Sequence, residues 1–294
     1  MKKITLTGLE QAPRRSTVFR RLWDVLLSAF SVFAIVLSVG GMGWILYTVL
    51  RHGAESINWE FLTSSSKPYG EPGAGIANAL LGSLLMTLSA TLIAVPPALA
   101  GGIYLAEFGR ENRLGNVLRF CANVMMGVPS IIVGLFVYVL LVVTTGHFSG
   151  FAGAVALAII MFPVVMRTTE DVLTMVPVTL RESALALGMT RTRTTLGIVF
   201  RAARSGLVTG VLLALARVSG ETAPLLFTAM FADTWPGGFF SRPTANMPVL
   251  ISEYTMNSPF ESMHAMGWGA ALIICLLILF INIITRTIFH EKQH

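Results

Sequence analysis

The residues best able to do chemistry lie in the stretch Leu213–Thr228, LALARVSGETAPLLFT, where Arg217 and Glu221 interrupt an otherwise apolar run. A charge at the centre of a membrane span costs at least about 2.5 to 3.5 kcal/mol, so such groups normally face a partner, a cavity or a pathway. Four residues apart, the two side chains fall on one helix face and can pair. Pro224 cannot donate to the Gly220 carbonyl, which makes Gly220 and Pro224 a candidate hinge. A charge pair beside a weakened turn suits a transport site, with Ser219 and Thr222 as further donors. The alternative is a structural ion pair between helices, with both hydroxyls bonded to the preceding turn. A second break, GVPS at Gly127–Ser130, puts Pro129 and Ser130 in another apolar run. Interrupted backbone is tolerated in a bilayer only where protein or a water-filled cavity satisfies it, so these two either line a pathway or serve packing.

These residues need a membrane bundle to hold them. Of the 294 residues, 54% are hydrophobic and only 12% are charged, and mean hydropathy is +0.72, which excludes an ordinary soluble protein of this length. The apolar runs predict an all-α, polytopic membrane protein with six transmembrane helices, at about 23–50, 76–105, 118–143, 151–166, 205–231 and 263–288. The first run is too long for the core of a cleaved signal peptide and reads as a retained anchor. Pro96 and Pro97 should kink the second span, and Gly101 and Gly102 suit close packing against a neighbouring helix. Cys121 and Cys275 both fall in apolar runs and indicate neither a disulfide framework nor a thiolate metal site.

The basic balance, +6 overall, has a topological explanation and calls for no nucleic-acid partner. Seventeen of the 21 Lys and Arg residues fall in four segments: six in a tail at 1–22, three at 110–119, six at 167–204 and two near the C-terminal tail at 289–294. The intervening connections hold only Arg51, Lys67 and Arg242. This asymmetry predicts that both termini and the 167–204 segment are cytoplasmic.

Segment 167–204 is the longest charged connection. After Pro177, Thr179–Leu187 carries good helix formers and Gly188 sits where a C-terminal stop is expected, so a short helix outside the membrane is predicted. Glu182, Ser183 and Ala184, with Gly188 six residues after the glutamate and Ile198 ten further on, resemble the EAA loop of ABC importer permeases. Ser183 replaces an alanine of that motif, and Arg201 stands where many permeases have proline. GIANALLGSLLMT at 75–87, GVPSIIVGLF at 127–136, ARVSGETAPLLFTA at 216–229 and NSPFE at 257–261 narrow the resemblance to the PstA family, permease subunits of the phosphate (Pst) ABC importer.

The resemblance implies the type I ABC importer permease fold for a transmembrane domain at 23–288, in a bacterial cytoplasmic membrane. It implies as partners a second phosphate permease subunit, two ATPase subunits and an extracytoplasmic phosphate-binding protein. The loop helix with Glu182, Ser183, Ala184 and Gly188 would dock on an ATPase. The chain has no GxxxxGK[ST] phosphate-binding loop, so it is expected to be a transport subunit and not an enzyme, with no cofactor of its own and with ATP and Mg on the partner ATPase. Phosphate is an anion rich in acceptor oxygens that a guanidinium fork binds bidentately, so Arg217 is the expected anion-facing group. Two other readings stand beside this one: the same machinery carrying another oxyanion, or an ion-coupled secondary transporter using Arg217 and Glu221. The last five residues, HEKQH, match HExxH, but no further ligand follows; a frayed tail is expected and no metal site.

Overall fold

The structure is a computed structural model and describes residues 17–68, 71 and 73–288. Most of the basic tail at 1–22, and the tail at 289–294 with its HEKQH, lie outside the described residues. The chain divides into two units, residues 1–50 and 51–294. In the first, the described residues form most of α1 (Thr17–Ala54). Its apolar side chains from Phe19 to Leu50 are nearly all exposed, as befits a surface made to meet lipid. The helix starts at Thr17, so Arg20 and Arg21 belong to its first turns and not to a tail.

The second unit is helical and contains no strand among the described residues. Its helices are α2 (Trp59–Thr63), α3 (Ala77–Glu107), α4 (Arg113–Gly127), α5 (Ser130–Val137), α6 (Val143–Thr145), α7 (Gly150–Thr174) and α8 (Val178–Ala186). There follow α9 (Arg191–Thr194), α10 (Phe200–Val218), α11 (Ala223–Thr228), α12 (Met247–Ser252) and α13 (Glu261–Ile288). One π-helical turn, Tyr138–Val142, joins α5 to α6, and another, Thr195–Val199, joins α9 to α10. Five helical stretches are long and apolar enough to cross a membrane: Phe19–Ala54, Ala77–Glu107, Gly150–Thr174, Arg191–Val218 and Glu261–Ile284. The pair Arg113–Gly127 and Ser130–Thr145, bent by 100°, is either a broken sixth span or a re-entrant loop.

Three expected spans differ from these elements, each for a reason of backbone chemistry. The span at 118–143 is two arms, because Pro129 clashes with a helical conformation at Val128, which instead is extended with φ −71° and ψ 128°. The span at 151–166 does not end near Pro163 but runs on to Thr174. Pro163 withholds one donor, from the Ile159 carbonyl, and the buried packing around it keeps the helix going. The charged connection therefore begins after Thr174, not at 167. The span at 205–231 stops at Val218 and resumes only at Ala223.

At the centre of the second unit α3 lies against α7. Met86, Ala90 and Ala98 of α3 meet Leu157, Met161 and Val165 of α7 in one buried cluster, which Val218 and Leu225 complete. Between helices in lipid the driving force is close packing more than water exclusion. Gly102 sets the approach: a Cβ there would lie 2.5 Å from the Thr169 Cβ and 2.6 Å from the Met166 carbonyl oxygen. At the opposite end of α3, buried Asn78 donates to Ser66 Oγ at 2.7 Å, and the Met247 N–H donates to Ser83 Oγ at 2.8 Å, binding the connecting segments to the bundle. Tyr254 is buried in that layer; burial, partly offset by the Lys67 backbone and reinforced by Asp233, pushes its phenol up to about 12.

Gly102→Ala is expected to overpack the α3–α7 contact and cost about 1 to 3 kcal/mol. Thermal unfolding of the purified protein in detergent checks this, with Gly127→Ala, which meets nothing within 4 Å, as the control that should leave the midpoint unchanged.

Candidate functional site

The site forms where two helix breaks face each other. At the end of α10 the backbone tightens: Ser219 N–H donates to the Leu215 carbonyl at 3.0 Å, Gly220 N–H to Arg217 at 3.3 Å and Glu221 N–H to Val218 at 3.2 Å. The helix restarts with Ala223, and Pro224 falls in the first turn of α11, where a missing N–H has no helical acceptor to serve. Gly220 and Pro224 thus bracket a true interruption, where the sequence indicated only a weakened turn. Opposite it, α5 begins after Pro129. Gly134 of α5 packs directly on Pro224, since a Cβ on that glycine would lie 2.6 Å from the proline Cα.

Between the two breaks lies a cavity of about 490 Å³ whose wall includes Pro129, Ser130, Phe136, Ile159, Arg217 and Glu221. Four candidates far apart in sequence are brought together here. Arg217 is exposed and Glu221 is partly buried. Among the described residues neither side chain makes a hydrogen bond, and no N···O contact within 4.0 Å joins the two. The expected pairing on one helix face fails because i, i+4 geometry requires continuous helix, and α10 ends at Val218, between the two residues. Arg217 occupies the last turn of α10, at the negative end of that helix dipole, and Ser130 opens α5 at a positive end. The cavity therefore joins one unpaired guanidinium and one helix N-terminus to a single carboxylate, in otherwise apolar surroundings. That arrangement can hold an oxyanion without a countercharge locked onto the arginine.

Ser219 and Thr222 do not belong to this wall. The Ser219 hydroxyl donates to the Leu215 carbonyl at 2.8 Å, and the residue borders a separate apolar groove with Leu84, Leu215 and Ile274. Thr222 uses its carbonyl to accept from Leu225 at 3.1 Å and Leu226 at 3.2 Å at the start of α11. Among the described residues no group of three His, Cys, Asp or Glu side chains gathers as a metal site.

The segment after α7 folds as a short helix, α8, with a defined stop. Gly188 takes φ +80°, its N–H donates to the Leu185 carbonyl at 2.9 Å, and Met189 N–H donates to Ala184 at 3.2 Å, a Schellman ending that favours glycine. Glu182 and Ser183 are exposed, and Ala184 is buried. Sequence reasoning missed the charges beneath this helix. Arg181, the neighbour of Glu182, reaches Glu107 at the end of α3 with Nη2···Oε1 at 2.9 Å. Glu170, 6% exposed, accepts from Arg119 of α4 at 2.6 Å and also from Arg167. The available signal was an acid at the end of a predicted span facing an arginine-rich connection, which the charge count treated only as topology.

Residues 98–290 match the family of binding-protein-dependent transport system inner membrane components. The phosphate transport system permease protein PstA of Yersinia pestis is 41% identical over 97% of this chain and 96% of its own length. The protein of the same name from Haemophilus influenzae is 42% identical over 94% of this chain and 96% of its own. In fold the chain is similar to a chain of the MetNI methionine ABC transporter in inward-facing conformations, with a TM-score of 0.59 at 17% identity over 73% of this chain and 94% of that one.

If Arg217 and Glu221 stand apart as described, Arg217→Gln and Glu221→Gln should change thermal stability additively, with a coupling below about 0.5 kcal/mol. A double-mutant cycle on the unfolding midpoint measures it; a larger coupling would show that the two form an ion pair.

Proposed function

The chain belongs to the PstA family of phosphate transport system permease proteins, and on that footing we propose that the Arg217 cavity is where it handles inorganic phosphate. It is a membrane-embedded permease subunit of an ATP-driven phosphate importer, a transport subunit and not an enzyme, and it works with ATPase and permease partners. In this reading the complete importer adds one second phosphate permease, two ATPase subunits and an extracytoplasmic phosphate-binding protein. In this reading the chain sits in the bacterial cytoplasmic membrane with both termini and α8 on the cytoplasmic side, which the distribution of Lys and Arg supports.

One observation carries the site assignment: an exposed arginine beside a helix break, unpaired among the described residues, in a cavity whose wall is apolar apart from Ser130 and Glu221. The guanidinium supplies two parallel donors to phosphate oxygens, and the first N–H groups of α5 add a positive end. Glu221 in the same wall repels an anion and keeps its residence short, which a conducting site needs because binding must be weak enough for exit. Pro129, Ser130 and Ile159 line the route without fixing the ion. Glu182 and Ser183, exposed on α8, meet the ATPase, Ala184 packs inward, and Gly188 ends the helix so that it can seat as a rigid body.

Phosphate uptake by the complex reconstituted in liposomes, with ATP supplied inside and the binding protein outside, tests the assignment. Losing a bidentate charge-assisted contact removes about 1.5 to 3 kcal/mol, so Arg217→Ala should lower uptake by at least about tenfold, with the complex still assembled. Glu182→Lys should instead lose the ATPase from the purified complex. Normal phosphate uptake by Arg217→Ala would remove Arg217 from the pathway, and equal uptake of sulfate by the wild type would make the substrate a broader class of oxyanion.

A further inference from the structure

α8 has nine residues, fewer than the roughly 12 to 15 an isolated helix needs to persist in water. Only Ala184 of the nine is buried, so apolar packing holds it weakly. Its polar attachment to the bundle among the described residues is one side chain. Arg181 Nε and Nη2 donate to Glu107 Oε1 at 3.1 and 2.9 Å, Nη2 also donates to the Leu173 carbonyl at 2.7 Å, and Nη1 donates to the Val176 carbonyl at 2.5 Å. The Arg181 and Glu107 side chains are 11% and 12% exposed. One guanidinium thus joins α8 to the last residue of α3, to the Leu173 carbonyl in the last turn of α7 and to the Val176 carbonyl just beyond it.

The same turn of α3 is gripped from its other side. Arg119 Nη2 donates to the Leu105 carbonyl and Nη1 to the Gly109 carbonyl, both at 3.0 Å, while Nε donates to Glu170 of α7 at 2.6 Å. Arg119 lies on α4, whose last residues, Met125 and Met126, border the Arg217 cavity. A displacement of α8 therefore has a connected route to the cavity wall: the polar contacts of Arg181 to the end of α3, those of Arg119 from α3 to α4, and then the α4 helix itself to the break at Val128. We infer that Arg181 is the positioning residue through which movement of α8 reaches the cavity, with Glu107 as its anchor. This rests on the phosphate-importer reading above and goes beyond it by naming the joint. Lysine offers a single point of attachment and cannot reach all three acceptors, so the joint calls for an arginine.

The test measures phosphate uptake and ATP hydrolysis side by side in the reconstituted complex. Arg181→Ala should lower phosphate moved per ATP by roughly tenfold while hydrolysis and subunit composition stay close to wild type. Glu107→Gln, which keeps the shape and one acceptor, should give a smaller loss in the same ratio, and Arg181→Lys should recover part of it. A loss of folding alone would lower uptake and hydrolysis together and leave their ratio intact. A wild-type ratio in Arg181→Ala overturns the inference. If Arg181→Ala does not assemble, an unchanged ratio in Glu107→Gln overturns it and a reduced ratio supports it. Failure of the wild-type complex to take up phosphate would instead sink the functional reading itself.

Discussion

The constraint behind this structure is that a peptide group in an apolar medium must find its hydrogen bond inside the protein. Long helices meet it residue by residue, so every interruption is informative. Here Val128 and Pro129 at one interruption and Glu221 within the other line one cavity, and Ile159, one turn before Pro163, lines it too. Gly134 against Pro224 holds the two broken helices in contact. The cavity follows from where prolines were placed, with packing around it dense enough to tolerate the lost bonds.

Charges divide by the same logic. At the α8 end, Arg119, Arg167 and Arg181 are committed to Glu170 and Glu107, both largely buried, and removing one partner of such a cluster generally costs about 3 to 5 kcal/mol. At the cavity, Arg217 has no such partner among the described residues although Glu221 lies four positions away. The first set holds elements in place, whereas the second leaves a cation available. Both sit in the same bundle, so the difference is one of geometry, not of residue type.

The two regions meet through α4 and α7. α7 passes the cavity at Ile159 and reaches the charge cluster at Glu170, while α4 starts beside that cluster at Arg119 and ends at the break. These two helices are thus the rigid elements common to the cavity and the charge cluster.

The sequence by itself determined the class and put forward the candidate residues. Its apolar runs specify a helical membrane protein, Gly188 marks the end of α8, and Arg217 and Glu221 stand out because a charge in a span is costly wherever it points. The breaks expected in 118–143 and 205–231 are present, but their extent, and the run of the 151–166 helix past Pro163 to Thr174, were not legible, because hydropathy records composition while a helix ends on local backbone chemistry and on whether packing can absorb a proline. Pro163 is absorbed and Pro129 is not, although each stands in an apolar run. Only the tertiary structure decided that Pro129, Ser130, Arg217 and Glu221 share one wall, that Ser219 and Thr222 do not, and that Arg181 belongs to Glu107. Those outcomes depend on which helix faces meet, a property of packing between segments some 70 to 90 residues apart that no local spacing encodes.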